Sequence, residues 1–192
     1  LKLRCYSGVV ALVVALFPAT VAARESLGAP GAVPVIAGTV QVLFSPWDDI
    51  EGAIVAAIRA ARREVLVHSF SFTSRPLARA LIEARARGVD VRVTADATES
   101  DRIENNRIPD LAAAGIPVFV EERYQSAHNK VMIIDASSPG GTVITGSYNW
   151  TYAAQRRNAE NVIIITGQNA VSARYRMNWE RQRADARPYA PR

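Results

Sequence analysis

Histidine and lysine are scarce enough in this chain to be read one by one, because only His68, His128, Lys2 and Lys130 carry those side chains. His128 and Lys130 stand two apart in the run His128-Asn129-Lys130-Val131-Met132-Ile133-Ile134-Asp135, and Gly146-Ser147-Tyr148-Asn149 follows. On an extended strand, residues two apart leave the same face, so both side chains can meet one ligand. Imidazole can attack phosphorus, and an ammonium can hold an equatorial oxygen of the group under attack. Phosphoryl transfer asks mainly for positioning and charge stabilisation, so this pair with the Ser147 and Asn149 donors is a sufficient kit. Asp135 lies an odd number of positions after Lys130, so an unbroken strand aims it at the opposite face. It is read as a structural or supporting carboxylate, and Gly146 as structural.

The composition sets the frame for that site. A chain of 192 residues predicts one domain, and 49% hydrophobic with 21% charged residues is globular, which excludes disorder, collagen and coiled coil. The net charge of +5 favours a polyanionic partner over an acidic surface, with a solvated basic surface as the plainer alternative. The single cysteine, Cys5, excludes an internal disulfide framework, a cysteine-held zinc site and dithiol redox chemistry. Asp48, Asp49, Asp96 and Asp101 are scattered acids without matching histidines, so they are read as caps and turns; no metal and no other cofactor is expected.

The elements that must position the site alternate in type. Lys2 and Arg4 precede an apolar run over 8–17 and small residues at Val21 and Ala23, so 1–23 reads as a signal peptide whose apolar stretch is too short to span a bilayer. Export to the periplasm or medium follows, with no stable membrane insertion after cleavage. Residues 24–38, rich in Gly, Pro and Ala, read as a flexible lead-in, and the folded domain occupies 39–192. Strands are expected over 40–44, 64–72, 89–93, 116–120, 128–135 and 142–145. Residues 161–166 read as a fully apolar buried strand. Helices are expected from Ile50 with Ile54 and Ile58 inward, from Ser74 with Leu77 and Leu81 inward, over 104–114 and over 169–185, with 150–157 a short helix or loop. Alternating elements imply an α/β domain, and the hairpin around 137–141 makes its sheet mixed.

The pattern His-x-Lys-x4-Asp followed by Gly-Ser-x-x-Asn resembles the signature of the phospholipase D superfamily. A chance occurrence in a chain of this composition is on the order of 10⁻³. It looks more closely like the small secreted bacterial endonucleases of that superfamily, which carry a single copy of the motif, and the likeness extends through 42–46, 69–73, 87–91, 115–117 and 158–161. The resemblance implies a mixed sheet flanked by helices and a metal-independent covalent phosphohistidine mechanism that uses two histidines from two motif copies. One copy per chain then implies a homodimer whose twofold axis brings two His128 side chains to one phosphodiester of a nucleic acid. By the same resemblance Lys130 and Asn149 bind phosphate oxygens, Ser147 supports them, and Glu160 is the carboxylate that orients the histidine. One departure stands out: ten residues separate Asp135 from Gly146, where about six are usual. The surplus, Ser137-Ser138-Pro139-Gly140-Gly141, is assigned to the hairpin turn.

Other readings compete at several positions. His68, between Val67 and Ser69, is read as a buried or supporting histidine. Glu160 taken alone is a surface charge at a strand start. The Arg156-Arg157 pair touches nucleic-acid backbone or is merely solvated, and Tyr148, Trp150 and Trp179 anchor the core or a dimer interface. A phospholipase D-type lipid phosphodiesterase uses the same site. A noncatalytic nucleic-acid-binding protein on this fold is the third reading, which an intact His128, Lys130 and Asn149 disfavour.

Overall fold

The computed structural model describes residues 38–190, so the signal-peptide assignment of 1–23 and, but for Gly38, the lead-in 24–38 lie outside the described residues. The elements run β1 (Thr39–Ser45), α1 (Ile50–Ala60), β2 (Glu64–Ser69), α2 (Arg75–Ala86), β3 (Asp90–Asp96), α3 (Ala97–Arg102), α4 (Ile108–Ala113) and β4 (Val118–Glu121). They continue with β5 (Lys130–Ile134), β6 (Thr142–Gly146), α5 (Tyr152–Arg156), β7 (Glu160–Thr166), α6 (Asn169–Asp185) and β8 (Arg187–Pro188). The eight strands form one mixed sheet in the order β1-β7-β6-β5-β2-β3-β4-β8. Only β2 with β3 and β3 with β4 are parallel, each joined through helix.

Local chemistry explains the helices. Asp49 caps α1 by accepting from the Gly52 amide, and Ile50, Ile54 and Ile58 recur along one fully buried face. Ser74 caps α2 by accepting from the Leu77 amide, with Pro76 in the first turn where no amide is needed. Gly88, at φ +89°, lets the chain leave α2 in a left-handed conformation.

The sheet buries two unequal faces. Ile54, Ile58, Leu77 and Leu81 pack with Val67, Val93, Met132 and Ile144 on one side. On the other, α6 lays Trp179 on Leu66, Val131 and Ile133, and its indole donates to the Val67 carbonyl at 3.0 Å. Tyr148, Trp150 and Trp179 are core residues.

Several boundaries differ from expectation for physical reasons. Strand β2 stops at Ser69 rather than 72, because the chain leaves the sheet to bring the Thr73 and Ser74 amides to the Trp150 carbonyl. Strand β5 starts at Lys130, two residues after His128. The helix expected over 104–114 is confined to α4, since the Asn106 side chain folds the preceding turn by accepting from Ile108 and donating to the Ser100 carbonyl. The strand over 161–166 is not fully buried. Asn161 and Ile163 are exposed because α6 covers the middle of the sheet and, among the described residues, nothing covers β7 and the edge strand β1 on that side. Val40, Val42 and Phe44, alternating along β1, are each about half exposed there, and Val42 pairs with Ile163.

Candidate active site

The C-terminal ends of β2, β3, β4, β6 and β1 and the N-terminal ends of β5 and β7 meet at one end of the sheet. His128, Lys130, Ser147, Asn149 and Glu160 all lie at that end. His128 is exposed on the loop 122–129, while Lys130 opens β5 and is buried. Lys130 Nζ lies 2.9 Å from both His128 Nδ1 and the His128 carbonyl. An ammonium only donates, so Nδ1 accepts and the neutral ring carries its proton on Nε2. Burial pulls the Lys130 ammonium down to about 8, against the opposing pull of Glu160, Asp96 and Glu99.

The segment after β6 is held by its aromatic residues. Tyr148 and Trp150 are buried, which leaves Ser147 and Asn149 on the site side of the turn. The Trp150 indole donates to the His68 carbonyl at 2.9 Å, tying Asn149 to the end of β2. Asn149 Oδ1 is buried without a protein partner, and since an amide oxygen only accepts, a phosphate oxygen would be met by the NH2 of the same side chain. Gly146 permits the turn, because a Cβ there would sit 2.1 Å from the Asn161 carbonyl oxygen of β7. The Ser147 hydroxyl donates to Glu160 Oε2 at 2.5 Å and accepts from the Asn161 amide, and Asn158 donates to Glu160 Oε1 at 2.9 Å. Within the subunit Glu160 therefore binds Ser147 and Asn158 rather than His128.

Asp135 is at the opposite end of β5. Its carboxylate accepts from the backbone amides of Arg62, Arg63 and Glu64 at 2.9, 2.7 and 2.9 Å, pinning the start of β2. The surplus residues 137–141 lie at that same far end, in the β5–β6 hairpin, away from Ser147 and Asn149.

His68 is buried on the α6 side, against Trp179 and Thr94. The Thr94 hydroxyl donates to the Val67 carbonyl, so it accepts from His68 Nδ1 at 2.5 Å. Burial lowers His68 to about 4, which keeps it neutral. Asp49 and Asp96 do cap helices, and Asp48 closes a turn onto the Phe44 amide. Among the described residues no group of three or more His, Cys, Asp or Glu could hold a metal ion.

Three contributors were not legible in the sequence. Asp96 does more than cap α3: its Oδ2 accepts from the Ala127 amide at 2.7 Å, fixing the loop just before His128. Glu121, paired with Asp96 across β3 and β4, is 2% exposed with neither carboxylate oxygen hydrogen-bonded. Burial, then Asp185 and Asp96, push it up to about 7. Phe70 places its ring centroid 4.3 Å from that of His128 and 4.5 Å from Lys130 Nζ. An aromatic residue one step past a strand has no sequence signal without knowing that β2 and β5 are neighbours.

A histidine–lysine pair beside an asparagine amide at the end of a mixed α/β sheet is the set of groups that phosphoryl transfer asks for. Comparison with known proteins gives the family. Residues 54–182 match the family model "Cardiolipin synthase, PLD-like domain", and the chain belongs to the phospholipase D superfamily. It is an enzyme, a phosphodiesterase of that superfamily, which sets aside the noncatalytic reading. It is 35% identical over 145 residues to a Rickettsia bellii protein named phospholipase D, covering 76% of this chain and 69% of that one. A Mus musculus protein named mitochondrial cardiolipin hydrolase is 34% identical over 153 residues, 79% of this chain and 66% of that one. Among solved structures, the phospholipase D family member Nuc from Salmonella typhimurium superposes with a TM-score of 0.74 at 29% identity, covering 81% of this chain and all of that one.

Proposed function

We propose that this phosphodiesterase is an exported endonuclease that cleaves nucleic acid without a metal, through a covalent phosphohistidine formed at a homodimer interface. The observation that carries the proposal is one His128–Lys130 pair at the open end of a sheet whose β1–β7 flank, on the α6 side, no helix covers among the described residues. Displacement at phosphorus takes a nucleophile and, as the ester oxygen leaves, a proton donor. A second copy docked over Val40, Val42, Phe44 and Ile163 supplies the second histidine and removes those side chains from water. Because Glu160 does not touch its own His128, the ring it orients in this reading is the partner's His128.

The chemistry follows from the geometry. An arriving phosphate draws the Lys130 ammonium off His128 Nδ1, which frees that nitrogen to carry the ring proton and Nε2 to attack. The phosphorus–oxygen bond breaks as the partner's His128 protonates the leaving oxygen. The partner's His128, now neutral, takes a proton from water, and the hydroxide displaces Nε2 from phosphorus. Lys130 and Asn149 hold the non-bridging oxygens throughout.

The charge of +5 and the exposed Arg156 and Arg157 close to Asn149 and Glu160 favour a polyanion. The likeness to proteins named phospholipase D favours a lipid phosphodiester as the second reading. The test is nicking of supercoiled plasmid in excess EDTA, run beside hydrolysis of phosphatidylcholine vesicles, with acid-labile phosphate on His128 assayed after denaturing quench. Plasmid cleavage with inert vesicles is the expected result. Vesicle hydrolysis alone would move the substrate to lipid, and activity lost to EDTA and restored by Mg²⁺ would overturn the phosphohistidine.

A further inference from the structure

Phe70 stands one residue beyond the end of β2, where the sheet gives way to loop. Its amide donates to the Asn129 carbonyl at 3.1 Å, so the ladder between β2 and β5 continues one bond past the strand and ties Phe70 to the residue between His128 and Lys130. Phe72, two residues on, is core, and Ser71 between them donates to Glu99. The Phe70 backbone is thus held on both sides. The half-buried ring meets the His128 imidazole at 53° with centroids 4.3 Å apart and lies 4.5 Å from the Lys130 ammonium. Among the described residues, His128 is otherwise an exposed side chain hydrogen-bonded to Lys130.

We propose that Phe70 is a positioning residue, whose ring face orients the His128 imidazole and stabilises the Lys130 ammonium beside it. The face of an aromatic ring carries negative partial charge, so a cation over it is held electrostatically, more strongly where water is excluded. Lys130 is buried and needs that help. With Lys130 already brought down to about 8 by burial, losing the ring would discharge much of it near neutral pH. The other charges facing this ammonium are Asp96 and Glu99 from the end of β3 and from α3, and Glu160 from β7. All three are anionic and favour the same charged form, so the ring is a neutral addition to an electrostatic cage. Its second task is steric: a side of the imidazole covered by the ring keeps fewer rotamers, which raises the fraction of time Nε2 faces a bound phosphate.

The inference rests on the proposed phosphoryl transfer at His128, and its test separates the two. Phe70→Leu keeps apolar volume and removes the ring face, while Phe70→Tyr restores the face. Phe70→Leu is expected to lower kcat about tenfold or more with KM changed less than about threefold. The alkaline limb of its pH–rate profile should move down by roughly half to one unit. Phe70→Tyr should return both to within about threefold of wild type. A leucine variant with wild-type kcat and an unmoved limb, or a tyrosine variant as impaired as the leucine one, would overturn the proposal. A readout independent of activity uses the rarity of lysine: in a Lys2→Arg background, ε-13C-lysine NMR reports Lys130 alone. Its titration should fall in Phe70→Leu and not in Phe70→Tyr. Were the protein inert on every phosphodiester yet the titration shifted, the functional reading would fail and the role of the ring on Lys130 would stand. An unshifted titration in both variants would sink the ring's role whatever the activity.

Discussion

Replacing Glu121 with glutamine should make the protein more stable at alkaline pH and leave it nearly unchanged at pH 5. The folded carboxyl holds its proton up to about 7, against 4.5 in the unfolded chain. Between those values the folded state binds a proton that the unfolded state has released, so stability falls as pH rises through the window and the loss is complete above it. A difference of about 2.5 units corresponds to about 3 kcal/mol at most, so the working expectation is about 1–3 kcal/mol at pH 8. Glutamine keeps the shape without the charge, and its amide can donate toward Asp96 or Asp185. His68 acts with the opposite sign. Its folded value of about 4 lies below the ordinary 6.5, so stability rises with pH between the two. In the wild type these slopes offset one another across the shared interval. Glu121→Gln exposes the His68 slope alone, with stability climbing to about pH 6.5 and then level. Urea unfolding at pH 4.5, 5, 6, 7 and 8, with unchanged m-values, measures both curves. A difference between variant and wild type that is the same at pH 5 and pH 8 would refute the reasoning.

Three other outcomes follow from the geometry. His128→Ala should abolish phosphodiester cleavage, whereas His68→Asn, which keeps a donor toward Thr94, should retain about a tenth or more of kcat; equal loss in both would place His68 in the chemistry. Asp135→Asn keeps one acceptor oxygen and tolerance for the positive φ of 50°, so it should cost about 1 kcal/mol in denaturant titration and leave kcat within about threefold. Mixing His128→Ala with an equal amount of wild type under verified subunit exchange should halve activity per wild-type subunit, since about a quarter of the dimers stay wild type; undiminished activity would mean that each chain works alone.

Much of the architecture was legible because it is local. The Ile50, Ile54 and Ile58 spacing, the Asp49 cap and the helix opening at Ser74 each act within a few residues, and each matches the element found. What sequence could not supply depends on which strands become neighbours. The bare flank of β7 reflects the limited reach of α6, not the composition of Ile163, Ile164 and Ile165. The short helix α3 follows from Asp96 turning out of β3, and the two-residue β8 exists because the chain after α6 returns to the edge of β4. At the site, the letters His, Lys, Ser and Asn drew attention to residues that the fold brings to one end of the sheet. Phe70 and Glu121 did not, since an aromatic and an acid are ordinary until the partner across the sheet is known.

The contact between Asp135 and the start of β2 changes what the signature's spacing measures. Lys130 stands at the His128 end of β5 and Asp135 just past its other end, about 17 Å away at the rise of a strand. The four residues between them are therefore a ruler, whose length is set by the depth of the sheet. A carboxylate that grips three consecutive amides fixes the phase of β5 against β2, and a slip of one residue would turn Lys130, with His128 two residues before it, to the other side of the sheet. Insertions beyond Asp135, such as the longer hairpin here, lie off the end of that ruler and leave the placement of His128 and Lys130 unchanged. A residue added or removed between Lys130 and Asp135 would instead leave a folded sheet with its lysine misdirected.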